Sequence, residues 1–284
     1  MQVDEYLIER MWYDTTQFWF KIAMSAMAIA YTRSGFAIAA DSRETSKAGP
    51  ESEPSNDETS DTSQKIFEAT AFGTTIAFGL TGFTGKGASY DLIGYAQGKA
   101  KALSSREFRN AYEYRDAFAQ LLERYILNKK RMGIIQYREN PDLEPDDRTL
   151  IASLHIVGYC HGLPFWLNAK FDHEVDGGVS TRPGGPDIVP GLRTAWGSNI
   201  LPALVLDGDP RFAQYRDRLA TDLRNASLDA ACGCLRAYIE LCSDPLAAEI
   251  DPICRGIGGP PQIATITPEH GFDWVVRPIT EDTR

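Results

Sequence analysis

No stretch of this 284-residue chain approaches the roughly 20 apolar residues that a membrane-spanning helix requires, so a helical membrane anchor is not expected. A secretory leader is missing too: residues 1–23 carry Asp4, Glu5, Glu9 and Asp14 and have no basic segment followed by an apolar one. Positive charge is scarce, with 29 Lys and Arg against 39 Asp and Glu for a net charge of −10, and no basic stripe interleaves with aromatics. Nucleic-acid backbone binding is therefore excluded. Cysteine is sparse and odd in number, five in all, at 160, 232, 234, 242 and 254. That argues against a disulfide scaffold and for a reducing compartment, the cytoplasm. The four histidines show no metal-ligand spacing. Cys232-x-Cys234 would turn its thiols to different faces of a helix, which reads as buried thiols rather than a metal site. Gly85-Lys86 hints at a phosphate loop, but Leu80 stands where the first glycine is needed and Gly87 where the Ser/Thr is needed. No metal and no cofactor are expected.

What is present is paired strands. Residues 26–43 are two apolar runs separated by Ser34-Gly35, a hairpin pattern that ends in Asp41-Ser42-Arg43. Residues 65–69 and 74–80 read as a second hairpin, 150–159 and 163–171 as a third about Cys160-His161-Gly162, and 262–267 and 272–277 as a fourth about His270-Gly271. A short strand is expected at 194–198. Helices are expected over 86–104 and 106–132, the second with Phe118, Leu121, Leu122, Tyr125 and Ile126 on one face. More are expected over 199–206, 210–224 and 227–243, the last capped by Ser227. Residues 1–23 form an aromatic-rich, helix-compatible leader. Residues 44–63 hold six acids and no large apolar residue and read as an exposed loop. Residues 174–191 are rich in glycine and proline. Strands in pairs, with helices grouped between them, predict antiparallel sheets packed on each other with helices outside, an α+β fold.

Ser25, Asp41 and Lys65 each stand at the end of a buried-type strand. A hydroxyl, a carboxylate and an amine brought together this way are the chemistry of an amidase whose nucleophile is its own N-terminal residue.

The stretch 25–43 resembles the start of a mature proteasome β subunit, whose hairpin ends in Ala-Ala-Asp-Ser-Arg, present here at 39–43. The resemblance covers about residues 25–278. It implies a four-layer αββα sandwich, the N-terminal-nucleophile hydrolase fold. It implies Ser25 as nucleophile, sixteen residues before Asp41, and Lys65, in Gln-Lys-Ile-Phe-Glu-Ala, as the paired ammonium. It implies Gly79, fourteen residues after Lys65, as oxyanion donor, and Ser198, in Gly197-Ser198-Asn199, as an orienting hydroxyl. Gly258-Gly259 before residues 262–267 resembles the family's late glycine pair.

Four features depart from the pattern. Serine replaces the usual threonine nucleophile. The Asp41–Lys65 gap is longer than the family's, the excess fitting inside the polar loop. Cys254 and Ile257 fall where the family has aspartate and serine, with Asp251 a substitute if the loop shifts. Met24 precedes Ser25 where self-cleaving members carry glycine. The scheme needs residues 1–24 to be a leader or propeptide that is removed, or the true start to be Met24, leaving residues 25–284 as one hydrolase domain with an insert at 44–63. The resemblance implies a peptide or amide substrate, ring or stacked-ring homo-oligomers, and compatibility with an ATPase unfoldase. Two other readings stay open: a non-catalytic structural ring subunit of the same fold, and a small-molecule amidase or acylase.

Overall fold

The structure is a computed structural model that describes residues 25–47, 57–85, 89–135, 145–185, 188 and 190–279. The expected leader, the middle of the polar insert and the expected start of the first helix lie outside the described residues.

β1 (Met27–Thr32) and β2 (Gly35–Ala40) form the first hairpin, in register from Met27 opposite Ala40 to Thr32 opposite Gly35. The turn is one residue earlier than expected. Arg33 and Ser34 form it, and the Ser34 N–H donates to Thr32 Oγ1 at 3.1 Å. Both strands are buried on both faces, which is why they read as continuous apolar runs. Their two faces differ in size. Ala28, Ala30, Ala37 and Ala39 face the helices, while Met27, Ile29, Phe36 and Ile38 fill the space between the sheets. The alanines let a helix approach closely; the larger residues fill the gap between β-layers.

β5 (Ile66–Ala71) and β6 (Thr74–Gly82) are joined by Phe72-Gly73, both at positive φ, and β7 (Leu150–Cys160) and β8 (Leu163–His173) by His161-Gly162, likewise. Two left-handed residues match the right-handed twist of the strands they connect. β11 (Gln262–Thr267) and β12 (Gly271–Val276) form the last hairpin. Two further strands, β9 (Val179–Gly184) and β10 (Gly191–Trp196), complete two antiparallel five-stranded sheets of order β10-β1-β2-β11-β12 and β5-β6-β7-β8-β9. β9 lies in the glycine- and proline-rich stretch. Its Pro183 is tolerated because β9 is an edge strand. The polar insert, expected as loop throughout, contains a short antiparallel pair, β3 (Glu44–Lys47) and β4 (Asp57–Ser60).

The helices are α1 (Leu92–Leu103), α2 (Ala111–Arg131), α3 (Ile200–Leu206), α4 (Ala213–Leu219), α5 (Leu228–Cys242) and α6 (Ala247–Ile250). Asp91, Asn110 and Ser227 cap α1, α2 and α5 through their side-chain oxygens. Three hydrophobic clusters define four layers. One packs α1 and α2 on the second sheet, one packs the helices from α3 to α6 on the first, and the third lies between the sheets. The expected αββα architecture of two antiparallel sheets flanked by helices is the observed one. Among the described residues no helix is long and apolar enough to cross a membrane.

Candidate active site

The site lies at one end of the inter-sheet layer. Asp41 follows β2 directly, and its backbone N–H donates to the Ala26 carbonyl at 3.1 Å, extending the hairpin by one pair. The Asp41 side chain is fully buried and accepts four hydrogen bonds. Oδ1 takes the Ala26 N–H at 2.9 Å and the Lys65 ammonium at 2.7 Å. Oδ2 takes the N–H groups of Gly258 at 3.2 Å and Arg43 at 3.3 Å. Only a carboxylate offers that acceptor capacity without a donor of its own.

Lys65 precedes β5, at the edge of the other sheet. Its ammonium also donates to the Arg43 carbonyl at 2.7 Å, and its side chain is 6% exposed. A buried ammonium is tolerated because it is paired and hydrogen-bonded. Asp41 therefore connects the catalytic candidates of both sheets: Lys65 from the second, and the residue next to Ser25 from the first. Ser25 itself is 4% exposed, one peptide before the Ala26 N–H that Asp41 holds.

Ser198 comes to the same end by strand pairing. β1 and β10 are antiparallel with Met27 opposite Trp196, and the chain just beyond them brings Gly197 against Ala26. Gly197 permits the approach: its φ is 120°, and a side chain there would meet the Tyr238 hydroxyl and lie 3.5 Å from the Ala26 Cβ. The Ser198 hydroxyl is buried and accepts the Leu201 N–H at 3.0 Å, capping the start of α3. The Tyr238 hydroxyl donates to the Ser198 carbonyl at 3.2 Å.

Gly79 lies in β6 opposite Ile66, one residue past Lys65. A Cβ on Gly79 would come within 2.7 Å of the Met27 Sδ and 3.2 Å of the Lys65 carbonyl. The glycine thus makes room for Met27. The late glycine pair has its own packing reason. The Arg43 guanidinium lies over Gly258, where a Cβ would sit 2.9 Å from Nε, and Gly259 has φ 73°. Arg43 in turn forms a two-pronged ion pair with Asp61, at 2.8 and 3.2 Å, which ties the end of the polar insert to the site. Asp61 is held below the usual carboxylate range by its hydrogen bond to Arg43.

The region of the expected late aspartate is rebuilt. Cys254 is buried and hydrogen-bonded to Cys242, a bond that together with burial raises the Cys254 thiol. Asp251 does not reach toward Asp41 or Lys65 in any hydrogen bond among the described residues; it accepts the Ile253 N–H at 3.2 Å and caps the short 3₁₀ turn Pro252–Cys254. Cys232 and Cys234 are buried in the helix layer, and burial pushes each thiol up to about 11. Among the described residues no group of three or more His, Cys, Asp or Glu could hold a metal ion.

Gln262, which no motif singled out, is the missed member of the site. It opens β11 opposite Ala40, and its side-chain carbonyl accepts the Lys65 backbone N–H at 3.0 Å while its amide donates to the Ser63 carbonyl.

No protein-family model and no curated protein sequence matches the chain. Among solved structures it is similar to an Anbu (Gly-1) mutant from Hyphomicrobium sp. strain MC1, with a TM-score of 0.45 and 13% identity, over 91% of this chain and 88% of that one. It is also similar to Anbu (ancestral beta-subunit) from Yersinia bercovieri, with a TM-score of 0.46 and 15% identity over the same shares. These values correct the expectation that the chain is a proteasome β-subunit homologue. The motif at 39–43 is not accompanied by sequence similarity that any family model registers, and the structural likeness is distant. A short strand-end motif that meets the needs of a buried Asp–Lys pair can occur without family membership.

Proposed function

We propose that the chain is an amide-bond hydrolase that uses Ser25 as an N-terminal nucleophile once residues 1–24 are gone, residues 25–284 forming the hydrolase unit. The observation that carries this is the double role of Asp41 Oδ1, which accepts both the Lys65 ammonium at 2.7 Å and the backbone N–H next to Ser25 at 2.9 Å. In the scheme the freed α-amine of Ser25 takes the proton of its own hydroxyl, directly or through one water, as the hydroxyl attacks an amide carbonyl. A positive charge nearby depresses the pKa of that amine and keeps it unprotonated, which is the task of Lys65. Asp41 keeps the ammonium in place. The Gly79 N–H stabilises the oxyanion of the tetrahedral intermediate, a contribution worth about 10²–10³ in rate for such donors. The intermediate collapses to an acyl ester on Ser25 with expulsion of the amine, and water then releases the acid. Ser198, two residues past β10, orients the amine or that water.

Substrates are peptides or other amides. The cytoplasm suits five cysteines that are all unpaired and buried. Exposed Tyr112 and Met132 on and just after α2, and Ile200 and Leu206 in α3, support assembly of copies through the helical faces.

The test is hydrolysis of fluorogenic peptides and acyl amides by the purified protein and by Ser25→Ala and Lys65→Ala. Loss of turnover in both variants is expected; unchanged turnover in both removes the enzyme reading. The second reading, a catalytically silent subunit, is favoured by the Ser198 hydroxyl, whose acceptor side is taken up in capping α3. It predicts no turnover in any of the three proteins.

A further inference from the structure

We infer that Gln262 is the positioning residue for Lys65, a carboxamide that sets the spacing between the two β-layers at the catalytic end. This rests on the hydrolase reading above for its effect on rate, though not for its effect on Lys65.

Lys65 and Asp41 belong to different sheets. Asp41 extends β2 of the first, and Lys65 leads into β5 of the second. A 2.7 Å contact between groups on separate layers holds only if something fixes the layers relative to each other at that point. Hydrophobic contacts between the sheets are non-directional. The Gln262 side chain adds a directional link. Its backbone is locked into the first sheet opposite Ala40, the residue before Asp41. Its side chain crosses to the second sheet's leading segment, accepting the Lys65 N–H at 3.0 Å and donating to the Ser63 carbonyl. Ser63 closes the circuit, its N–H donating to the Ser42 carbonyl at 3.0 Å, one residue past Asp41. Gln262 is 1% exposed, so both ends of the amide are used where water does not replace them. Asp41 is thus pinned through its neighbours Ala40 and Ser42, Lys65 through its own backbone N–H, and Gln262 joins the two.

The experiment compares the intact protein with Gln262→Leu, which removes both hydrogen bonds, and Gln262→Glu, which keeps an acceptor for the Lys65 N–H. Each is treated with an acetylating reagent. Acetylation of Lys65 is followed by peptide mass spectrometry, alkylation of buried Cys234 on the far side of the first sheet serves as a control for opening of the fold, and kcat and KM are measured on an amide substrate. Gln262→Leu is expected to acetylate Lys65 at least tenfold faster with Cys234 unchanged, and to lose at least tenfold in kcat with KM within about twofold. Gln262→Glu is expected to lie between it and the parent. Unchanged Lys65 labelling in Gln262→Leu overturns the inference, and so does labelling that rises in step at Cys234, which marks a merely structural role. If the parent protein shows no turnover the hydrolase reading falls, and the Lys65 and Cys234 labelling still decides whether Gln262 positions Lys65.

Discussion

The Lys65 ammonium stands 2.7 Å from Asp41 Oδ1, and neither side chain is more than 6% exposed. Two opposite charges taken out of water hold each other there, and each becomes a liability when the other is removed. Their contact spans both sheets, so it tests local chemistry and global architecture at once.

Removing both partners is therefore expected to cost less than the sum of the two single removals. Lys65→Met and Asp41→Asn should each lower unfolding free energy by about 3–5 kcal/mol, while the double variant should fall well short of the sum. Denaturant melts of the four proteins complete the cycle; strictly additive losses would show that the pair is not coupled.

Gly79→Ala inserts a methyl group against the Met27 thioether and near the Lys65 carbonyl. A loss of about 1–3 kcal/mol is expected from that overpacking. The same change made in a Met27→Ala background should cost clearly less, because the space over Gly79 is then open. Equal costs in both backgrounds would locate the strain elsewhere, in the Lys65 carbonyl.

His155 is buried in β7, its Nε2 3.0 Å from the Ser153 hydroxyl and its Nδ1 without a hydrogen-bond partner among the described residues. Burial, aided by the charge of Lys170, lowers its pKa from 6.5 to about 3. Between those values the unfolded chain takes up a proton that the folded chain refuses. The stability tied to His155 is thus fully present above about 6.5 and drains away as the pH falls toward 3. His173, lowered to about 4 chiefly by burial, acts in the same direction. His155→Gln should flatten the acid limb of a stability-against-pH curve; an unaltered slope would mean that His155 takes up its proton without unfolding the chain.

The Arg43–Asp61 ion pair is partly exposed, at 34% and 43%. Asp61→Asn should cost less than about 1 kcal/mol, and the difference from the parent should shrink in high salt. A loss of several kcal/mol in a thermal melt would give the polar insert a larger share in holding the site together.

Legibility in the sequence followed chemical contrast. β1 and β2 were readable because both faces are buried and every residue is apolar or small, and α2 because its buried positions recur at helical spacing. β3 and β4 were not, since Glu44–Lys47 and Asp57–Ser60 contain no apolar alternation to betray a strand. The glycines and Pro183 around β9 concealed it, because their ordinary meaning is a turn and an edge strand escapes that rule. Asp41 and Lys65 could be proposed from the chemistry they share. Gln262 and Met27 could not, because an amide and a thioether announce nothing until a fold brings positions 262 and 27 against 65 and 79. The motif at 39–43 pointed correctly to a layered αββα architecture and too far in pointing to a family.

The intact mass of the purified protein tests the central claim most directly. The chain must begin at Ser25, because a serine still joined to Met24 has no α-amine to serve as its base. A mass matching residues 25–284 is the predicted result, and a mass that retains residues 1–24 contradicts the account.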